Sequence, residues 1–164
     1  MSPRQQMRFA VVTTVAVLAV CAAALAAVAA ARVSHRHALD SARENGIAAA
    51  TTGVATVLSY DYRHLTADFQ KAEALLTPRF RKEYDRTTAA GVKPLAAKYK
   101  AQSSARVSAA GTVSIAPDRV VVLVFVDQTV TNSQLAAPRL DRSRINVTMV
   151  HQGGRWLIDH LSPI

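Results

Sequence analysis

The chain has 164 residues, half of them apolar, and a formal net charge of +9. Its one cysteine, Cys21, lies in the apolar N-terminal stretch, which excludes a disulfide framework and thiol chemistry for the rest. From Ala38 onward, 16 Lys and Arg stand against 11 Asp and Glu. They are spread thinly, with no basic block or aromatic interleaving of the kind nucleic-acid binders carry, and suit a basic exterior facing anionic lipid headgroups.

Phe9 to Ala31 contains no charged side chain, and only Thr13 and Thr14 interrupt Ala, Val, Leu, Phe and Cys21. A helix of that length covers about 34 Å, enough to cross a hydrocarbon core of about 30 Å. The stretch is expected to be a single transmembrane anchor (residues 9–31) behind a cytoplasmic tail (residues 1–8). A cleaved signal peptide is the alternative, because Arg4 and Arg8 precede the run and Ala-x-Ala triplets lie between Ala22 and Ala31. The run exceeds the usual apolar core of about 7 to 15 residues, which favours an anchor. Leu18-Ala19-Val20-Cys21 approaches a lipobox, but Val20 stands where that motif takes a small residue. Ala19, Ala23 and Ala27 recur every fourth residue and are candidates for close packing against a partner helix, although an alanine-rich run produces such spacing freely. Basic residues flank both ends of the run, Arg4 and Arg8 before it and Arg32, His35, Arg36 and His37 after it, so charge alone leaves its orientation open.

Residues 32–58 are expected to form a juxtamembrane amphipathic helix, with Ile47, Ala50, Val54 and Val57 on one stripe. Ser41 and Glu44 fit a capping box, and Gly46 and Gly53 argue against an unbroken helix. Residues 59–164 are expected to form one domain. Tyr62, Leu65, Phe69, Ala72 and Leu76 carry helical spacing, and Thr77-Pro78 supplies an N-cap followed by proline for a helix whose inner face includes Phe80 and Tyr84. Arg79/Glu83 and Arg81/Asp85 have the spacing of surface ion pairs on that helix. Gly91 is the expected C-cap, and Pro94 opens one more short helix.

Past Gln102 the period changes to alternation, and Pro117-Asp118, the loop 132–138 and Gly153-Gly154 divide the rest into four strands. Gly111 is the expected bulge. The second strand carries Val-Val-Val-Leu-Val-Phe-Val, apolar on both faces, and must be central. The expected fold class is α+β: a single N-terminal transmembrane helix, then a cone-like domain of the nuclear-transport-factor type with about three helices and a four-stranded antiparallel sheet.

Four segments then become recognisable: Leu-Ser-Tyr-Asp-Tyr at 58–62, Val-Leu-Val-Phe-Val-Asp-Gln-Thr-Val-Thr at 122–131, Arg-Ile-Asn-Val-Thr-Met-Val at 144–150 and Gly-Gly-Arg-Trp-Leu-Ile-Asp-His-Leu at 153–161. With the apolar N-terminus they resemble the actinobacterial Mce-associated membrane proteins over essentially the whole chain. The resemblance implies a non-enzymatic accessory subunit that stabilises or assembles an Mce-type lipid importer. It also implies Mce-domain and permease partners, a plasma-membrane anchor with the N-terminus cytoplasmic and the C-terminal domain extracytoplasmic, and a fold shared with assembly factors of type IV secretion. It supplies no catalytic residues, cofactor or metal to carry over.

Tyr60, Asp61, Tyr62, Asp127 and Gln128 are the candidate polar positions of the domain. An enzyme or carrier of this fold, acting on a sterol-like or polyketide molecule, would need a carboxylate beside a tyrosine in an apolar pocket. The plainer expectation for Asp127 and Gln128 is structural hydrogen bonding at the end of the central strand. His35, His37, His151 and His160 show no metal-ligand spacing.

Overall fold

A computed structural model describes residues 3–164, with side chains from residue 23 onward. The chain divides into two compact units, Met1–Ala38 and Leu39–Ile164. Helix α1 is assigned Pro3–Val57. Of the expected anchor, residues 9–22 lie outside the residues whose side chains are described. Among the described residues no helix is long and apolar enough to cross a membrane. The transmembrane helix in the expected fold is corrected accordingly. In this first unit Ala23 and Ala27 are exposed; Ala19 lies outside the described side chains.

The second unit continues with β1 (Tyr60–Asp61), α2 (Leu65–Glu73), α3 (Pro78–Thr87), a π-helical turn (Thr88–Val92) and α4 (Lys93–Tyr99). Four long strands follow: β2 (Gln102–Ala116), β3 (Arg119–Thr131), β4 (Arg139–Gln152) and β5 (Arg155–Pro163). The sheet therefore has five antiparallel strands in the order β1-β2-β3-β4-β5, not four. The additional strand is only two residues long, too short for any alternation to show in sequence. It exists because Tyr60 and Asp61 pair with Ser103 and Gln102.

Period-2 alternation places Val120, Val122, Val124 and Val126 of β3 on one face, at most 1% exposed, beside Ile145, Val147 and Met149 of β4. The helices cover that face: Ala42, Ala50, Val54 and Val57 of α1, Ala72 of α2 and Phe80 of α3 complete the same core. Gly46 and Gly53 do not interrupt α1. They let it approach the sheet, for a Cβ on Gly46 would lie 3.0 Å from Val120 Cγ2, and one on Gly53 3.0 Å from Ile158 Cδ1. Since α1 runs on through Ser41, no capping box forms there.

Thr77 caps α3 as its sequence predicts, its hydroxyl accepting the Phe80 N–H at 3.3 Å with Pro78 following. The surface pairs expected along α3 give way to tertiary partners: Arg79 reaches Asp159 at 2.8 Å, and Arg81 donates to the Glu73 carbonyl at 3.0 Å. Gly91 falls inside the π-helical turn, and the left-handed residue that ends α4 is Lys100, φ 51°. The irregularities of β2 fall between Val107 and Ala109 and between Thr112 and Ser114, while Gly111 pairs regularly with Leu123. Gly153 and Gly154, φ +59° and +75°, make the tight turn joining β4 to β5. The outer edge of β5 is closed by Leu75–Thr77, through Ile158 N–H to Leu75 O at 2.8 Å and Thr77 N–H to Ile158 O at 2.9 Å.

Candidate functional site

The segment between α1 and α2 gathers most of the sequence-derived candidates. Helix α1 ends beneath β2 and β3, and the backbone groups it leaves open there are taken up by side chains. The Leu58 carbonyl accepts from Ser103 Oγ at 2.7 Å and from Gln128 Nε2 at 3.4 Å, and Gln128 Nε2 also reaches Ser103 Oγ at 2.7 Å. Ser59 Oγ donates to Ala55 O at 2.7 Å and accepts the Ala105 N–H at 2.9 Å. These bonds stitch the helix end to the sheet.

Asp61 turns toward β2, where Gln102 Nε2 donates to it at 3.1 Å and Arg63 Nε at 3.0 and 3.1 Å. Hydrogen bonding from Arg63 is the largest influence and holds this carboxyl well below the usual carboxylate range. It borders a groove of about 610 Å³ that Thr52, Ser59, Tyr60 and Asp68 also line. Asp61 is a fixed anion in a polar surround, the opposite of a carboxyl poised to exchange protons near neutrality.

Tyr60 faces two ways. Its ring stacks on Phe69 at 5.9 Å, and Phe69 lies 5.9 Å from Tyr84. The three rings, with Phe80, Val57 and Gln128, line a second cavity of about 380 Å³ between α2, α3, the π-helical turn and the end of α1. Burial pushes both phenols up, so each stays protonated at neutral pH. The Tyr84 hydroxyl donates to Val57 O at 3.1 Å. The cavity can hold a small apolar molecule against aromatic walls.

Asp127 is elsewhere. It lies on the sheet face turned away from the helices, with Arg106 at 3.1 Å and Arg142 at 3.5 Å. Tyr62 is half-buried beside the Arg63 guanidinium, 5.9 Å from its ring centre. The candidates therefore separate: Tyr60 and Gln128 share the aromatic cavity, Asp61 borders the neighbouring groove, and Asp127 belongs to the opposite face. Neither aspartate stands beside a tyrosine in the apolar cavity. Among the described residues no group of three or more His, Cys, Asp or Glu could hold a metal ion.

Sequence reading missed Ser59 and Ser103, because serines near a helix end and at a strand start carry no signal until the two elements meet. It also missed the link from Thr77 Oγ1 to Asp159 Oδ1 at 2.9 Å, which spans 82 residues. No spacing rule reaches that far.

With this geometry in hand, three likenesses bear on the chain. "Outer membrane protein Rv1973" of Mycobacterium tuberculosis is 38% identical over 123 residues, which cover 75% of this chain and 76% of the relative. An IcmL-like type IV secretion system protein from Legionella pneumophila superposes with a TM-score of 0.62 at 10% identity, over 72% of this chain and 90% of that one. CagV, a VirB8 homolog of the type IV secretion system of Helicobacter pylori, superposes with a TM-score of 0.58 at 9% identity, over 71% and 94%. At such identities the two structures share a fold with residues of this chain and nothing more is read from them. A family model described as "Uncharacterized protein Rv1363c/MT1408-like" matches residues 8–162, and the chain belongs to that family.

Proposed function

We propose that this chain is a non-enzymatic accessory subunit of a membrane complex of the cell envelope, and that the complex is an Mce-type lipid importer with permease and Mce-domain subunits. The chain is membrane-associated through its N-terminal segment, at the plasma membrane, with residues 39–164 on the extracytoplasmic side. One observation carries the non-enzymatic reading. The polar residues of the motifs that resemble Mce-associated proteins are engaged in holding the domain together: Gln128 on the end of α1, Asp127 between two arginines, Asp159 on Thr77 and Arg79. A fold found in secretion-system components and a relative named as an outer membrane protein support an envelope assembly.

The test is affinity purification of the tagged full-length chain from detergent-solubilised native membranes, with mass spectrometry of what accompanies it. Permease and Mce-domain subunits are expected in the eluate. A chain recovered without them overturns the reading. The aromatic cavity between α2 and α3 favours a second reading, a carrier of a small apolar molecule. An apolar compound recovered in equal amount with a chain that brings no subunits would select it.

A further inference from the structure

The central strand is apolar at every position from Val120 to Val126, which one covered face does not explain. The even-numbered valines fill the core under the helices. Alternation turns Val121, Leu123 and Phe125 to the other side, and Phe125 is 42% exposed there. Antiparallel sheets with one wet face carry polar residues on it, whereas strands apolar on both faces occur where both are covered. The neighbouring strand obeys the first rule: Thr148, Asn146 and Arg144 of β4 lie opposite Val121, Leu123 and Phe125. On the other flank β2 contributes Ser114, Gly111 and Ala109, small residues that leave the stripe open.

Around Phe125 this face is concave. A recess of about 530 Å³ is bounded by Phe125, Ser108, Asp127, Arg142, Arg144 and Ile164. The charge at its rim is unbalanced. Arg106 and Arg142 share the single carboxylate of Asp127, and Arg144 is paired with no carboxylate among the described residues. Three guanidinium groups thus stand against two anions at most, the Asp127 side chain and the terminal carboxylate of Ile164, beside an exposed aromatic ring. Buried aromatic and arginine side chains are the usual anchors of protein interfaces.

We infer that this outer sheet face is where another protein subunit of the same envelope complex docks, placing an apolar side chain in the Phe125 recess and carboxylates against Arg142 and Arg144. The inference rests on the accessory-subunit reading above. Two other occupants fit the face less well. A second copy would bring the same excess positive charge against itself across a two-fold axis. A bilayer takes up side chains that protrude, and here the ring walls a hollow.

The experiment uses the full-length tagged chain in its native membranes, with a photo-crosslinking phenylalanine analogue at position 125 and, separately, at position 95 on α4. Leu95 is 54% exposed and lies on a different element. Irradiation is expected to join position 125, and not position 95, to an identified subunit of the complex through a segment bearing Asp or Glu. Combining R142E with R144E should lower that adduct by about tenfold or more, as reversal of interfacial charges does. The thermal melt of the doubly substituted chain checks folding, and the single R144E variant, which leaves the Asp127 pairing untouched, should show the same trend. An adduct at 125 only with phospholipid or with a second copy would overturn the inference, as would subunits retained equally by all variants with no adduct at 125. A parent chain that retains no subunit at all defeats the accessory-subunit reading itself, and the two failures are thereby distinct.

Discussion

Asp159 shows how a single side chain couples distant parts of the domain. It accepts from Thr77 Oγ1 at 2.9 Å and from Arg79 at 2.8 Å, and Arg119 stands 3.8 Å away. Burial alone would raise its pKa, but the hydrogen bonds from Arg79 and Thr77 and the charges of Arg79 and Arg119 outweigh it and lower the value from 3.8. A carboxyl lowered in the folded state contributes stability that is complete above its unfolded pKa and is lost as pH falls through the folded one. Asp159→Asn is expected to cost about 1 to 2 kcal/mol at neutral pH, toward the low end for charge-assisted bonds because Arg79 is largely exposed. It should also flatten the loss of stability below about pH 4. Urea unfolding of parent and variant across that range checks both; parallel acid limbs would exclude Asp159 as the responsible group. The sequence marked the Thr77 cap, since a Thr-Pro pair before a helix is a local signal. Its partner 82 residues away became visible only when β5 was laid beside the start of α3.

At the scale of elements, the contact of α1 with the sheet depends on two glycines that differ in what they face. A methyl on Gly46 would meet Val120 Cγ2 at 3.0 Å and Val120 Cβ at 3.1 Å, a β-branched side chain fixed in the central strand. A methyl on Gly53 would meet only the Cδ1 end of Ile158 closely, at 3.0 Å, and that end can rotate. Alanine gains about 1 kcal/mol over glycine in a helix, against about 1 to 3 kcal/mol for overpacking a close-packed core. Gly46→Ala is therefore expected to lower the thermal midpoint, and Gly53→Ala to leave it within about 2 °C of the parent. Equal losses in the two variants would show that Ile158 has no room to yield. In sequence these glycines weakened the case for a continuous helix, because propensity sees only their flexibility. Packing reverses their meaning: the residue that disfavours the helix lets it lie close to the sheet.

Across the whole of the second unit, stability should be graded from the centre of the sheet outward. Strand β3 is paired along its length on both sides, whereas β2 has β1 beside it only at Gln102 and Ser103 and carries two irregularities. Such edges open at lower free energy than the core does. Hydrogen exchange on the full-length chain is expected to be slowest in Val120–Val126 and Ile145–Met149, and faster along Ser104–Ala116. Exchange in β3 as fast as in β2 would mean that the sheet opens as a unit. The same sheet turns two surfaces outward, the helix-covered core on one side and the Phe125 recess on the other. The docking proposed for the second would leave the first intact.

The sequence by itself determined the four long strands past Gln102, the central place of Val120–Val126, the Thr77 cap and the turn at Gly153-Gly154. Each rests on interactions between residues close in the chain, where period, capping and backbone freedom are legible. It also carried the motifs that suggest an envelope protein. Tertiary structure alone decided that a fifth strand forms at Tyr60–Asp61, that Arg79 prefers Asp159 to Glu83, and that Tyr60 and Gln128 meet while Asp61 and Asp127 part. Those outcomes depend on which elements are brought side by side, and the free energy of such contacts has no counterpart in local spacing. The apolar outer stripe lies between the two. Its residues could be read from the sequence, but only the placement of α1, α2 and α3 on the other face left it outside the core.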